Sequence, residues 1–225
     1  MNFLRVLTIG TRRRRIATVP DLAGAVTEGA AYLAQGASYS YIRARTAMMA
    51  PRLMDDPGFR AAMERCKWEG FAAAAGDLIL IVEGDLRPHG AGAAPFWRRL
   101  YREVLAAEPV PEHRAGEGSN GEGSAGEGWA DRIAEFDRRL EVRLVGPPAG
   151  VEAISEHSAG VIIDYAPVED AIREVDREMV TNNVQFRFIE HVEALRRRAD
   201  WPALAAAIRA AEGAAEGAAE AGPGG

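Results

Sequence analysis

Hydrophobic residues recur at helical spacing along most of the chain. Steps of 4, 3 and 4 residues separate Trp129, Ile133, Phe136 and Leu140, which places these side chains on one face of a helix. Similar patterns, ending at prolines, glycines or a capping aspartate, predict six helices, at about 20–49, 57–86, 95–107, 129–145, 167–200 and 201–211. No stretch convincingly predicts a sheet. We therefore expect an all-α fold, a helical bundle of about six helices.

Two segments lack the large apolar side chains that a folded core requires. Residues 109–128 read PVPEHRAGEGSNGEGSAGEG, and the tail reads AEGAAEGAAEAGPGG. Such segments bury too little surface to offset the entropy lost on ordering, so we expect a disordered linker and a disordered tail. The chain then divides into a basic N-terminal segment, a helical half, a flexible linker, a second helical half and the tail, at 1–15, 16–108, 109–128, 129–211 and 212–225.

The longest predicted helix carries a heptad seam in which one position is polar. Steps of 4 and 3 residues place Asn182 in a seam with Val168, Ile172, Val175, Met179, Phe186 and Ile189. A buried amide without a partner costs about 1–3 kcal/mol, so the asparagine needs an explanation.

Three interpretations of Asn182 stay open. The side chain bonds a polar group on a facing helix and fixes the register, or the helix breaks here and residues 184–188 form a strand. In the third interpretation, Asn182 and its neighbours belong to a ligand site. The 168–189 seam is also compatible with self-association into a homo-oligomer.

Asp77 lies in an almost wholly apolar stretch of the chain. Its neighbours at helical spacing are Ala73, Ala74, Leu80 and Ile81. A helix that is apolar on nearly every face is central, so we expect the carboxylate to be paired or to have a raised pKa. Arg43 and Arg45 are candidate partners in a buried ion pair. The functional alternative is a ligand pocket lined by Asp77, Tyr32, Tyr39 and Arg43.

Residues 156–160 read EHSAG, which resembles the G-x-S-x-G nucleophile elbow of serine hydrolases except that Glu156 replaces the first glycine. The resemblance covers only these five residues. Acidic residues and then His191 follow Ser158, in the Ser, Asp, His order of that family. The resemblance implies catalysis by Ser158 and His191, but also a large parallel sheet, which the rest of the chain does not predict.

Composition narrows the classes of site and partner. The net charge of −6 argues against broad binding of nucleic acid. Cys66 is the single cysteine and the histidines form no H-E-x-x-H motif, so we predict neither a metal site nor a cofactor. Lys67 is the one lysine among 27 basic residues, a bias typical of GC-rich bacterial genomes. The lone cysteine favours a reducing, cytoplasmic compartment.

The N-terminus combines a short apolar segment with an arginine cluster. Phe3, Leu4, Leu7 and Ile9 precede the cluster, which consists of Arg12, Arg13, Arg14 and Arg15. This order does not fit a secretory signal, and no window is long and apolar enough to span a bilayer. Two interpretations stay open: weak anchoring on an anionic membrane surface, or docking of a basic terminus on the acidic remainder of the protein.

These features favour a non-enzymatic adaptor or regulatory protein of the bacterial cytoplasm, acting on another protein and with contact to the inner membrane surface left open. The alternative is a small-molecule-binding protein or enzyme that uses an interhelical pocket around Asp77, Tyr39 and Arg43. A serine hydrolase that uses Ser158 is a third hypothesis.

Overall fold

The computed structural model describes residues 14–46, 50–115 and 128–220, and it gives no side-chain detail for residues 50, 51 and 216–220. Within these ranges the protein is all-α and contains eight α-helices. They are α1 (Val19–Thr46), α2 (Ala50–Asp55), α3 (Pro57–Leu86), α4 (Ala94–Ala106), α5 (Ala130–Val145), α6 (Val151–Tyr165), α7 (Asp170–Arg198) and α8 (Trp201–Glu220). The predicted fold class is therefore confirmed.

Local sequence explains where the two longest N-terminal helices begin. The Asp56 carboxylate accepts a hydrogen bond from the Phe59 backbone N–H at 2.7 Å, and proline occupies the next position, where a missing N–H costs nothing. At the start of α1, the Thr18 hydroxyl oxygen accepts from the Asp21 backbone N–H at 3.2 Å and donates to its carboxylate at 2.7 Å. Both helix starts fall where the capping residues predict them.

Helix α3 lies at the centre of the bundle and packs against α1, α2, α4, α5 and α6. Its alanine-rich middle, residues 72–82, is buried on every face. Helix α7 packs against α6 and α1, and α4 packs against α5. One hydrophobic core includes Leu22 and Leu78 from the first half of the chain together with Phe136 and Phe188 from the second half.

Two glycines let α1 and α7 approach closely. Gly29 and Gly36 lie seven residues apart on one face of α1, a spacing that predicts close contact with a neighbouring helix. A Cβ on Gly29 would lie 2.3 Å from Nε2 of His191, and a Cβ on Gly36 would lie 2.8 Å from a guanidinium nitrogen of Arg187. The packing of α1 on α7 depends on Gly29, because a Cβ there would also lie 3.0 Å from the core side chain of Leu78. At Gly36 the flexible end of the Arg187 side chain can move aside.

Four segments differ from the sequence-based expectation. Helix α2 was not predicted, because the expected first helix ended near Pro51 and the next began at Pro57. Helix α6 was not predicted, because its serines interrupt the apolar pattern of a helix that is buried on most faces. Residues Glu112–Arg114 of the expected linker form a short 3-10 turn, and α8 continues beyond residue 211 to Glu220. The other linker residues, 116–127, and the tail residues 221–225 lie outside the described part of the chain.

Candidate functional site

Asp77 is fully buried where three helices meet. One carboxylate oxygen accepts a hydrogen bond from the Arg139 guanidinium of α5 at 2.5 Å. The other accepts from the backbone N–H of Ser158 on α6 at 3.0 Å and from the Ser158 hydroxyl. Burial and pairing of Asp77 are therefore confirmed. The predicted partners Arg43 and Arg45 are wrong, because the pairing residues come from α5 and α6.

The predicted pocket around Asp77, Tyr39 and Arg43 is not formed. Tyr39 lies beside Lys67, whose Nζ is 5.8 Å from the tyrosine ring centre. Lys67 is ten residues from Asp77 along α3, which corresponds to about 15 Å. Arg43, one turn beyond Tyr39 on α1, is exposed. Tyr32, the fourth predicted pocket residue, stacks on the His191 ring, with 6.1 Å between ring centres.

The cavity beside Arg139, the arginine partner of Asp77, is too small for a metabolite. It is lined among others by Gly76, Arg139 and His157, and its volume is about 10 Å³. This is about the volume that one water molecule needs, whereas ligand pockets typically measure about 300–1,000 Å³. Burial also lowers the pKa of His157, against the opposing effect of Asp77. The arrangement therefore holds helices together and leaves no room for a substrate.

The nucleophile-elbow interpretation of Ser158 is wrong. Glu156–Gly160 lie inside helix α6, whereas an elbow requires a strand followed by a sharp turn and a helix. The Ser158 hydroxyl is fully buried and donates to Asp77. His191, the proposed base, lies on α7 and stacks on Tyr32.

A second buried carboxylate, Glu69 of α3, accepts hydrogen bonds from two arginines and a histidine that sequence reasoning did not identify. Its oxygens accept hydrogen bonds from Arg114 at 2.6 and 2.7 Å, from Arg132 at 2.9 Å and from His113 at 2.9 Å. Burial raises the pKa of Glu69, but the hydrogen bonds from Arg114, His113 and Arg132 outweigh it, so the pKa lies below its ordinary value. The cluster fixes the start of the expected linker to the centre of the bundle.

Every buried carboxylate in the described ranges has an arginine partner. Asp77 pairs with Arg139 and Glu69 with Arg114 and Arg132, and the remaining pairs are Glu83–Arg87 and Asp176–Arg45. Paired and hydrogen-bonded burial is the arrangement that offsets the cost of removing a charge from water. The acidic groups of the interior are therefore engaged in holding helices together.

The described ranges hold neither a candidate metal cluster nor a candidate membrane-spanning helix. Residues 14–46, 50–115 and 128–220 contain no group of three or more histidine, cysteine and acidic side chains arranged to hold a metal ion. None of the helices described there is both long enough and apolar enough to cross a bilayer.

Helix α7 carries apolar side chains on two opposite faces. The inner face is buried in the core and consists of Val180, Val184, Phe188, Val192 and Leu195. The outer face, which we call the outer stripe, consists of Ile172, Val175, Met179, Asn182 and Phe186. Val175 is 80% exposed and Phe186 is 68% exposed, so these side chains lie in solvent. Large apolar groups arranged in a line on the surface are typical of an interaction site.

The seam predicted for the long helix therefore lies on one face of α7, as its spacing requires, but most of that face points away from the core. Val168 and Ile189, at its two ends, are half-buried against the core, and the positions between them form the outer stripe. Asn182 is exposed, so it does not bond a facing helix within this chain, and a bond to a facing helix of another molecule stays a prediction. The strand interpretation of residues 184–188 is also wrong, because α7 is continuous from Asp170 to Arg198.

The basic N-terminal segment is described only in part. Arg14 and Arg15 form salt bridges with Asp21 at 3.2 Å and Asp200 at 2.5 Å, although both guanidinium groups remain largely exposed. These contacts fit the docking of a basic terminus on acidic groups of the bundle. Arg12 and Arg13 lie outside the described residues, and membrane anchoring by the cluster stays a prediction.

Comparison of the chain with models of protein families, with curated proteins and with solved structures gave no match.

Proposed function

We propose that this chain is a non-enzymatic adaptor or regulatory binding protein of the bacterial cytoplasm, which binds a helical partner through the outer stripe of α7. The observation that carries the proposal is the outer stripe itself, a row of exposed apolar side chains at heptad spacing. Burial of each of its large apolar side chains is worth about 1.5–3 kcal/mol. A partner that covers the stripe removes these side chains from water, and the complex is stabilised by the free energy of that burial.

The buried polar residues and the small cavity of the interior favour binding over catalysis. Asp77 and Ser158, the leading candidates for chemistry, donate and accept all of their described hydrogen bonds within the bundle. Both side chains are fully buried, and the cavity beside Arg139 measures only about 10 Å³, which leaves no space for a reacting molecule. The outer stripe, in contrast, is open to a partner without any rearrangement of the core.

Photo-crosslinking in cells tests the proposal. A benzophenone amino acid placed at Val175 or Phe186 of the full chain should form covalent adducts with whatever covers the stripe. Two control positions carry the same group. Val145, on α5, is 89% exposed and apolar, so it reports non-specific adhesion, and Glu174 lies on α7 away from the stripe.

We expect adducts from positions 175 and 186 at several times the yield obtained from positions 145 and 174. Introduction of a charge elsewhere in the stripe, by Met179→Glu, should abolish those adducts. Equal yields from all four positions would contradict the proposal.

A further inference from the structure

We infer that the partner of the outer stripe is the outer stripe of a second copy of this chain, with the two α7 helices antiparallel. The inference rests on the proposed function and names the partner that the stripe binds.

The spacing of the seam is symmetric about a point between Met179 and Asn182. In the antiparallel arrangement with its two-fold axis at this point, Ile172 faces Ile189 of the second copy, Val175 faces Phe186, and Met179 faces Asn182. The residue numbers of each facing pair add up to 361. A single register therefore gives a partner to all five residues of the outer stripe and to the half-buried Ile189 next to it. A two-fold interface requires such a self-complementary surface, and each layer pairs alternate heptad positions as antiparallel coiled coils do.

The asparagine has a role in this register. The two Asn182 side chains lie in adjacent layers on either side of the axis, three residues or about 4.5 Å apart along the helices. An amide donates and accepts hydrogen bonds, so the two side chains can bond each other across the axis. A slip that sets Asn182 opposite Ile172 would separate the two Asn182 side chains by ten residues, about 15 Å, and leave each amide unpaired, which costs about 1–3 kcal/mol.

Charge selects the antiparallel direction. Helix α7 begins with Glu169 and Asp170 and ends with Arg196, Arg197 and Arg198. Asp170 and Arg197 are both largely exposed. Antiparallel pairing directs the arginine end of each copy toward the acidic end of the other, whereas parallel pairing sets like charges together. The dipoles of the helices favour the same choice.

The interface is small, so pairing is reversible. The seam spans 17 residues, about 26 Å, and a helix is about 10–12 Å wide, which gives a footprint of about 300 Å². Stable protein interfaces bury about 800 Å² on each partner. The stripe therefore supports a weak dimer whose population follows the concentration of the chain.

Disulfide trapping with three single variants of the full chain, Val175→Cys, Phe186→Cys and the control Val145→Cys, tests the inference. The native Cys66 does not interfere, because it is buried and burial raises the pKa of its thiol to about 11. Each variant is oxidised alone and in an equal mixture with each of the others. A mass tag on one variant distinguishes mixed from like dimers.

We expect the 175–186 mixture to form mixed dimers at least tenfold faster than any mixture that contains the 145 variant. The 175 variant alone should crosslink no faster than the control, because antiparallel pairing separates the two copies of residue 175 by eleven residues, about 16 Å. Rapid crosslinking of the 175 variant with itself would show parallel pairing and overturn the inference. Rates equal to the control in every mixture would exclude a second copy.

The photo-crosslinked products show whether the partner is a second copy, another protein or neither. An adduct from position 175 or 186 with the mass of two chains supports both. An adduct with another protein, without disulfide trapping, overturns the second copy but leaves the proposed function in place. Absence of adducts above the controls overturns both.

Discussion

Asp77 and Ser158 join α3 to α6 through two hydrogen bonds that end on the same carboxylate oxygen. The Ser158 backbone N–H and hydroxyl both donate to it, while Arg139 of α5 donates to the second oxygen. One buried anion thus connects three helices. Its charge is tolerable there because each oxygen has a donor, and removal of the charge would leave Arg139 without its acidic partner.

The substitution Asp77→Asn should lower the free energy of unfolding by about 2–4 kcal/mol, because the half-buried Arg139 loses its counter-charge and one amide hydrogen points at a donor inside the core. Urea denaturation measures the change. The matched control is Asp85→Asn, whose carboxylate pairs with Arg196 at the surface and should cost less than about 1 kcal/mol. Equal losses for the two variants would mean that the charge of Asp77 contributes no special stability.

Two glycines of the same helix should respond in opposite ways to alanine. Gly29→Ala places a Cβ within 2.3 Å of Nε2 of His191 and within 3.0 Å of Leu78, so it should destabilise the protein by about 1–3 kcal/mol. Gly24→Ala has nothing within 4 Å and should stabilise the helix by up to about 1 kcal/mol. Thermal unfolding of both variants compares them directly. Stabilisation by Gly29→Ala would show that α1 and α7 are not in close contact.

The Glu69 cluster predicts a loss of stability in acid. The pKa of Glu69 is depressed in the folded chain, while the unfolded chain protonates it near about 4.3. Its contribution is therefore complete above the unfolded pKa and is lost as the pH falls through the folded pKa. Glu69→Gln should destabilise the chain at neutral pH, and its difference from the wild type should shrink below about pH 4. The measurement is urea denaturation between pH 3 and pH 7.

The control for the acid experiment is Glu141→Gln, whose carboxylate is largely exposed beside Arg98. It should leave the pH dependence unchanged. A Glu69→Gln difference that stayed constant through the acid range would contradict the depressed pKa.

The thiol of Cys66 should be inert in the folded chain. It is buried, donates to the Ile162 carbonyl at 3.3 Å, and burial raises its pKa to about 11. A thiol-reactive dye at pH 8 should therefore label Cys66 only after addition of urea. Immediate labelling of the native protein would show that α3 and α6 separate readily at this point.

The sequence predicted the parts of the fold that local pattern determines. Helix starts at Thr18 and Asp56 follow from capping chemistry, and the central position of α3 follows from its apolar residues on every face. The burial and pairing of Asp77 follow from the same pattern. Its partner could not be predicted, because Arg139 is 62 residues away and the chain contains many arginines that satisfy the same charge rule.

For helix α7, the sequence predicts the helix but not which of its faces is buried. Helix α7 contains one apolar row at steps of 3 and 4 and another, through Val180, Val184 and Phe188, at steps of 4. Both rows satisfy a helical periodicity, so the sequence does not reveal which of them faces the core. The more regular heptad row lies outside and the less regular row is buried, so regularity of spacing does not identify the row that faces the core.

We expect the outer stripe to pair two copies of the chain and to contribute nothing to the fold of one chain. Sedimentation from low micromolar to submillimolar concentration measures this pairing, with wild type, Phe186→Glu and the surface control Val145→Glu. Wild type and Val145→Glu should shift from monomer toward dimer, while Phe186→Glu stays monomeric and keeps its free energy of unfolding within about 0.5 kcal/mol. A wild type that stays monomeric throughout, or a dimer that survives Phe186→Glu, would contradict pairing of two copies through the stripe.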